Sequence, residues 1–206
     1  MRLITLFTMG LFLFTAGCAP FQKEKAITIV NAAAVDAPLL ERIRAYAEQE
    51  LRVPVRALEK PDLAGKERFP RHSLARASGW QAMEKAAQGI KTDADVTLIV
   101  LTGFNNESQH LAVYSNSHIA VVNVQPLYTD DAKKFGWRVE RQVMRAAAFS
   151  FGLEPTPDPF CVTRDYDSLE DLDSMGRNFS PPWQGRFADE AAKRGLIAKE
   201  TAGDTQ

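Results

Sequence analysis

The chain has 206 residues, enough for one domain that buries a core without disulfides or metal. Its 45% hydrophobic and 25% charged residues are typical of a globular protein. A formal net charge of −1 provides no overall field that would attract nucleic acid, so the composition argues against a DNA- or RNA-binding protein.

The N-terminal residues have the pattern of a secretion signal. Arg2 is followed by an uncharged apolar run over residues 3–14, which is shorter than the ~20 residues that a membrane-spanning helix needs. Residues 15–18, TAGC, resemble the end of a bacterial lipoprotein signal. The resemblance implies that Cys18 is lipidated after cleavage, and Ala19 favours the outer membrane, facing the periplasm. An ordinary signal peptide with an incidental cysteine is the alternative.

This interpretation sets the domain boundaries. Residues 1–17 form the signal peptide, 18–25 a lipidated tether, 26–200 a single domain and 201–206 a flexible tail. Removal of the signal leaves Cys161 as the only free thiol, so no intramolecular disulfide can form. Because Cys161 stands between two apolar residues, we expect it to be buried.

The hydrophobic pattern predicts the secondary structure. Apolar or alternating runs predict strands, and apolar residues at helical spacing predict helices. In chain order we expect a strand at 26–30, a helix at 38–51, a strand at 53–58, a helix from about 73 or 78 to 88, strands at 95–101, 111–115 and 118–124, and helices at 131–151, from Ser168 as N-cap, and at 187–199. Polar residues at 59–72 and 105–110 predict a loop and a turn. Strands interspersed with helices favour a single α/β domain with a mixed sheet.

A helix that ends at a glycine dominates the C-terminal half. Its last turns read RAAAFSFGLEP, residues 145–155, and Gly152 suits the left-handed conformation that ends helices. Cys161, SLEDLD at 168–173 and NFSPPW at 178–183 follow. In order and spacing this set resembles the archaemetzincins, a branch of the metzincin zinc peptidases. The resemblance implies an α/β (α+β) metzincin-like domain, in which a twisted mixed sheet packs on helices, including a long helix that carries metal ligands in that family.

The residues at the family's catalytic positions depart from its pattern. The resemblance places the first zinc histidine at Arg145, the glutamate at Ala146 and the second histidine at Phe149. The third ligand falls at Pro155 and the Met-turn methionine at Thr163. An arginine stays protonated and a phenyl ring has no donor, whereas a catalytic zinc site needs three N, O or S donors. We therefore expect no catalytic zinc, no other cofactor and no peptidase activity.

The family's second, structural zinc is affected in the same way. Of its four cysteine positions, only Cys161 keeps a cysteine, and the other three fall on Thr156, Ser180 and Trp183. The chain's histidines all precede the long helix in sequence; they are His72, His110 and His118. The sequence therefore predicts the loss of both metal sites.

Three arginines lie on one side of the long helix, at positions 138, 141 and 145. Such spacing is typical of a solvated basic face, which is the first expectation. A second hypothesis is that Arg145 enters the cleft and holds a carboxylate, from a ligand or an internal Asp, by a bidentate pair. The simplest alternative to the resemblance is that the alanines and Phe149 are ordinary core packing.

The functional prediction combines the anchor with the degenerate domain. We expect a membrane-anchored cell-envelope lipoprotein whose archaemetzincin-like domain is inactive and binds a peptide or an envelope protein. An edge strand beside the former metal helix can bind an extended peptide by strand addition, which needs no metal. A structural or assembly lipoprotein is the first alternative, and a divergent active peptidase is the second.

Overall fold

A computed structural model describes residues 23–64, 75–105 and 107–198. The predicted signal peptide, the lipid-attachment residue Cys18 and the predicted tail lie outside these ranges. Within them, no helix has the length and apolar character needed to cross a membrane. The elements are β1 (Ala26–Asn31), α1 (Ala37–Leu51), β2 (Val55–Glu59), α2 (Ala75–Gln88), β3 (Asp95–Thr102), β4 (Leu111–Tyr114), β5 (Ile119–Asn123), α3 (Ala132–Ser150), α4 (Leu169–Ser174) and α5 (Pro181–Lys193).

The strands form one mixed sheet in the order β2-β1-β3-β5-β4. β1, β2, β3 and β5 run parallel, and β4 pairs antiparallel with β5 at one edge. The inner strands β1, β3 and β5 are buried almost throughout, as expected for parallel strands whose two faces are covered. β4 is half-buried along its length. The predicted fold class, a single α/β domain with a mixed sheet, is confirmed.

Helices cover both faces of the sheet. On one face, Ile43 of α1, Val143 of α3 and Phe187 of α5 belong to the same core cluster. On the other face, Trp80 and Met83 of α2 pack in a second cluster. The domain therefore has three layers, and α3 lies against β3, β5 and the edge strand β4. This position brings the polar side chains of α3 close to a sheet edge.

Local sequence signals set the ends of the helices that frame the site. The side chain of Asp131 accepts hydrogen bonds from Lys133 N and Lys134 N at 2.9 and 3.0 Å, which caps α3. Gly152 has φ +82° just after the end of α3, the conformation for which glycine was predicted there. Ser168 Oγ accepts from Asp171 N at 3.1 Å, so the predicted cap of α4 is confirmed.

The prediction for the last helix was wrong. A helix was expected at 187–199, but α5 begins at Pro181 and ends at Lys193. Ser180 is its N-cap, and proline is favoured in a first helical turn because that N–H needs no helical partner. Gly195, with φ +79°, follows its end. The two prolines therefore start the helix instead of preceding it in a loop.

Candidate functional site

Helix α3 carries arginines that are buried, not solvated. Arg138, Arg141 and Arg145 are 5%, 5% and 7% exposed, so the prediction of a solvated basic face was wrong. The three arginines are buried because the segment from Cys161 through α4 folds back over this side of α3. Arg138 forms a bidentate pair with Asp173, with Nε–Oδ1 and Nη2–Oδ2 distances of 2.8 and 2.6 Å.

Arg141 holds the backbone just beyond α4. Its Nε and Nη2 donate to Met175 O at 3.2 and 3.0 Å, and Nη2 also donates to Asp173 O at 3.1 Å. Beside it, the buried carboxylate of Glu140 pairs with Arg42 and Arg177 at 3.1 and 2.8 Å. These contacts attach α3 to α1 and to the returning chain.

Arg145 has a comparable role at the next turn of α3. Its Nη1 donates to Val162 O at 3.1 Å and also to Arg164 O. The guanidinium carbon lies 5.0 Å from the ring centroids of both Phe149 and Tyr166. The charge is therefore held by two carbonyls and two aromatic rings, and burial lowers the pKa of Arg145 from its ordinary value.

A carboxylate contributes only weakly to this cation. Asp165 Oδ1 lies 3.8 Å from Arg145 Nη2, and the Asp165 side chain is 79% exposed. Such a pair is screened by water and contributes little. The second hypothesis from the sequence was a bidentate pair between Arg145 and a carboxylate. Such a pair is found at Arg138 instead, and the described partners of Arg145 are mainly backbone carbonyls.

A cavity of about 460 Å³ opens between α3 and the edge strand. We call it the β4–α3 cleft. Leu111 and Val113 line it from β4, and Gln142, Arg145 and Phe149 line it from α3. Residues 108–110 and the loop at 165–167 close its ends. The cleft thus joins aromatic and aliphatic walls to a small set of polar groups.

One hydrogen-bonded chain of polar groups crosses the cleft. Gln142 Nε2 donates to the Tyr166 hydroxyl at 2.7 Å, and that hydroxyl lies 2.5 Å from His110 Nδ1. The Tyr166 hydroxyl therefore links Gln142 to His110, and the direction of its bond to Nδ1 depends on the tautomer of the His110 ring.

Both rings of this chain are neutral near pH 7. Burial, together with the positive charges of Arg138 and Arg145, holds the pKa of His110 below its ordinary value of 6.5. Burial likewise raises the pKa of the Tyr166 hydroxyl above its ordinary value of 10.0. The cleft therefore presents the neutral His110–Tyr166 pair beside a fixed arginine, and Asp165 and Asp167 also belong to its lining.

The cleft does not have the donors of a zinc site. Phe149 lines it with a phenyl ring, Ala146 is fully buried in the core, and Pro155 is exposed and lies outside its lining. Arg145 adds a positive charge where a dication would sit. In the described part of the chain, no three His, Cys, Asp or Glu side chains gather to hold a metal. The residues present therefore do not fit a catalytic zinc ion.

The positions that the resemblance assigns to a structural zinc lie close together in part. Cys161 is buried, as predicted, and its Sγ accepts from Ser180 N at 3.3 Å and lies 3.2 Å from Thr163 Oγ1. The indole N–H of Trp183 donates to Glu154 O at 2.8 Å, two residues before Thr156. A single thiol among hydroxyl and indole groups provides no zinc site.

Sequence reasoning missed the cleft's His–Tyr pair. The polar segment containing His110 predicts only a turn, and Tyr166 stands in an acidic stretch that gives no functional signal. The two residues are separated by 56 positions in the chain. No local pattern brings them together, because their contact depends on how the segment after α3 returns to β4.

Comparison with known proteins places this fold. No family model matches the chain, and no curated protein matches it. Among solved structures, an archaemetzincin from Methanopyrus kandleri aligns with a TM-score of 0.64 and 18% identity, over 84% of this chain and 98% of that one. A zinc-dependent peptidase from Methanocorpusculum labreanum aligns with a TM-score of 0.60 and 15% identity, over 78% of this chain and 99% of that one. An archaemetzincin from Archaeoglobus fulgidus complexed with malonate aligns with a TM-score of 0.55 and 15% identity, over 78% of this chain and 99% of that one. The chain therefore has an archaemetzincin-like fold.

Proposed function

We propose that this chain is a lipid-anchored envelope protein whose archaemetzincin-like domain binds an extended peptide in the β4–α3 cleft and does not hydrolyse it. One observation carries the proposal: the cleft opens beside a free strand edge, while an arginine and a phenyl ring stand at two of the three aligned zinc-ligand positions. The scaffold for peptide recognition is retained and the chemistry for cleavage is not.

The hydrogen bonds of β4 support strand addition. Asn123 N donates to His110 O at 2.9 Å, which fixes the alternation along the β4–β5 pair. By that alternation the N–H and C=O groups of Leu111 and Val113 point away from β5, toward the free edge. Gln109 Nε2 already donates to Leu111 O at 2.9 Å. An extended peptide would meet these outward groups, with its side chains in the cleft.

The residues at the positions of the family's glutamate and zinc ligands support binding without hydrolysis. Ala146, at the position of the family's glutamate, has no group that could move a proton. Arg145 cannot deprotonate to become a ligand. His110 is neutral and already bonded at Nδ1 to the Tyr166 hydroxyl, whose raised pKa makes it a weak nucleophile. These groups can orient a bound peptide through hydrogen bonds.

The test removes one backbone donor at the free edge. Val113→Pro deletes an N–H that points away from β5, so pairing with β5 is preserved. A library of N-acetylated hexapeptides, screened by fluorescence polarisation, supplies the probe, and we expect Val113→Pro to weaken each hit by tenfold or more. Val113→Thr keeps the N–H and a β-branched side chain, and should bind as the native chain does. Equal affinity for both variants, or cleavage of any hit, would contradict the proposal.

A structural or assembly role is the second candidate, and the contacts of Arg145 favour it. The guanidinium joins α3 to the Val162–Arg164 segment through two hydrogen bonds from Nη1. If peptide screening gives no hit while Arg145→Ala lowers stability, the domain acts as a fixed body at the membrane. A peptide that binds the native chain and binds the Val113→Pro variant more weakly would instead support the peptide-binding function.

The anchor has a separate test. Cys18→Ser removes the predicted lipid acceptor, so the protein should lose its acyl mass by mass spectrometry and leave the membrane fraction. An unmodified native chain would refute lipidation without affecting the peptide-binding test. Phe160→Ser, at a residue 81% exposed, changes surface hydrophobicity without touching lipidation and is the matched control.

A further inference from the structure

Two polar side chains in the wall of the β4–α3 cleft have atoms without hydrogen-bond partners. Gln142 and Arg145 both line the cleft, and they are 0% and 7% exposed. Among the described residues, no donor reaches Gln142 Oε1 and no acceptor reaches Arg145 Nε. The great majority of buried polar atoms in proteins are hydrogen-bonded. The wall of the cleft therefore contains one unpaired acceptor and one unpaired donor.

The remaining polar atoms of these two side chains fix them at the wall. Gln142 Nε2 donates to the hydroxyl of Tyr166, another residue of the cleft lining, at 2.7 Å. Arg145 uses Nη1 for both of its backbone carbonyls. Its Nη2 lies 3.8 Å from Asp165 Oδ1, which is too far for a hydrogen bond. The Nε–Nη2 edge of the guanidinium is thus without a hydrogen bond to any described residue.

The unpaired acceptor and the unpaired donor are neighbours on α3. Residues 142 and 145 are three positions apart, so their side chains lie on the same side of the helix, about one turn apart. The cavity in front of them is about 460 Å³, a volume that accommodates a small organic group. One group can therefore contact both side chains, provided that it has both a donor and an acceptor.

The chemistry of the cleft distinguishes between the polar groups that a peptide could supply. A carboxylate has no donor for Gln142 Oε1, and it meets the carboxylates of Asp165 and Asp167 in the cleft lining. An ammonium has no acceptor for Arg145 Nε, and it would lie beside a positive charge. A primary carboxamide has two N–H donors, a carbonyl acceptor and no charge. It satisfies both unpaired atoms without repulsion.

The position of α3 relative to β4 favours a long side chain. A peptide added to the free edge of β4 uses its backbone N–H and C=O groups in the plane of the sheet. Its side chains stand perpendicular to that plane, and those on the side of Leu111 and Val113 enter the cleft. Because Gln142 and Arg145 belong to the helical layer above the sheet, glutamine reaches them better than the shorter asparagine, serine or threonine.

Binding requires a small movement of the cleft wall. Gln142 Oε1 and Arg145 Nε are buried in the described structure, so both side chains must turn toward the cleft to meet a ligand. Changes of side-chain rotamer are common at binding surfaces. The hydrogen bonds that then form replace two buried unpaired groups, which favours the bound state.

We propose that the β4–α3 cleft selects peptides with a carboxamide side chain, above all glutamine, at the residue that faces α3. The carboxamide N–H donates to Gln142 Oε1, and its carbonyl accepts from the Nε–Nη2 edge of Arg145. This inference rests on the peptide-binding function proposed above and adds its specificity. Gln142 and Arg145 are then the residues that determine which peptide binds.

The first test varies the ligand and leaves the protein unchanged. The probes are hexapeptides of threonine and valine with an N-terminal fluorescein, a C-terminal N-methylamide and one guest residue, placed at the third or the fourth position. The guests are Gln, Glu, Lys and Met, which have similar lengths. Fluorescence polarisation should show binding at least about tenfold tighter for Gln than for each other guest, because the others leave a buried group unpaired.

Gln142→Met tests the same inference from the side of the protein. It removes the acceptor and keeps the length of the side chain, so the preference for a Gln guest over a Met guest should disappear. Gln88→Met is the matched control on α2, at the opposite face of the sheet, where Gln88 Nε2 donates to Glu84 Oε1 at 3.1 Å. It should retain the preference. Because the preference is a ratio of affinities measured on one protein, a loss of stability does not imitate the result.

The specificity and the peptide-binding function can fail separately. Equal affinities for the four guests, all weakened by Val113→Pro, would reject the specificity and retain strand addition. A preference for Glu or for Lys would also overturn the inference, and it would assign selection to the charge of Arg145 or to the charges of Asp165 and Asp167. No binding by any of these hexapeptides would reject the specificity together with the proposed function.

Discussion

The region around Arg145 and the region around Cys161 fall at the two zinc positions that the archaemetzincin resemblance implies, and they differ in the contacts found there. At Arg145 a buried cation persists, bound by Val162 O and Arg164 O and flanked by two aromatic rings. At Cys161 no cation stands among the described contacts, and the sulfur accepts one backbone N–H from Ser180. One region uses charge and the other uses packing.

The difference shows what each region of the fold requires. The Val162–Arg164 segment turns its carbonyls toward α3, and buried carbonyls need donors. A guanidinium satisfies two of them at once and remains charged at any physiological pH. The Cys161–Ser180 contact joins two segments that already share a backbone hydrogen bond, Val162 N to Asn178 O at 2.9 Å. Packing is therefore sufficient in the second region.

Arg145→Ala should give the largest effect. It leaves two carbonyls without their donor and removes a cation from two rings, so we expect a loss of about 3 kcal/mol in the free energy of unfolding. Chemical denaturation monitored by circular dichroism measures it. Arg145→Lys should recover some of the loss but not all, because an ammonium cannot reproduce the planar fork.

Arg186→Ala is the matched control for that change. Its guanidinium lies 4.7 Å from the Trp183 ring on an exposed turn of α5. We expect this change to lower the free energy of unfolding by less than about 1 kcal/mol, as for exposed cation–π pairs. A similarly small loss for Arg145→Ala would show that the buried charge does not stabilise this region.

Cys161→Ala should give an intermediate effect. The thiol is fully buried and its loss removes a small apolar volume and the acceptor for Ser180 N, for which about 1–2 kcal/mol is expected. The same denaturation experiment measures it, with and without a chelator. A chelator that lowers the stability of the native chain to that of Cys161→Ala would reveal a metal in this region. That result would contradict the statement that packing alone stabilises the region around Cys161.

The pH response of His110 should give the smallest effect. Its folded pKa lies below its ordinary value of 6.5, so the unfolded chain takes up a proton first as pH falls. The stability that His110 contributes is complete above about pH 6.5 and is lost as pH falls toward its folded pKa. NMR titration of the ring measures this pKa, and Arg145→Ala should raise it by removing a nearby cation. A native value at or above 6.5, or one that Arg145→Ala leaves unchanged, would contradict the charge assigned to the cleft.

Much of the fold could be predicted because its signals are local. Buried apolar runs identified β1, β3 and β5, and side-chain caps identified the start of α4 at Ser168. The start of α5 was missed because Pro181 has two local meanings, a loop or a first helical turn.

The site could be predicted less completely. Helical spacing correctly placed Arg145 and Phe149 on one side of α3, where both line the cleft. It could not show that this side is buried, because the covering chain comes from the segment after α3. The same segment after α3 brings Tyr166 to His110, and neither local sequence predicts this contact.

The metal content of the purified chain after incubation with equimolar zinc and gel filtration tests the central claim most directly. The donor set of the β4–α3 cleft, which Arg145 and Phe149 line, predicts far less than one equivalent of zinc, and the same unfolding free energy with and without the metal. One tightly held equivalent that stabilises the chain would show that this archaemetzincin-like fold still contains its ion.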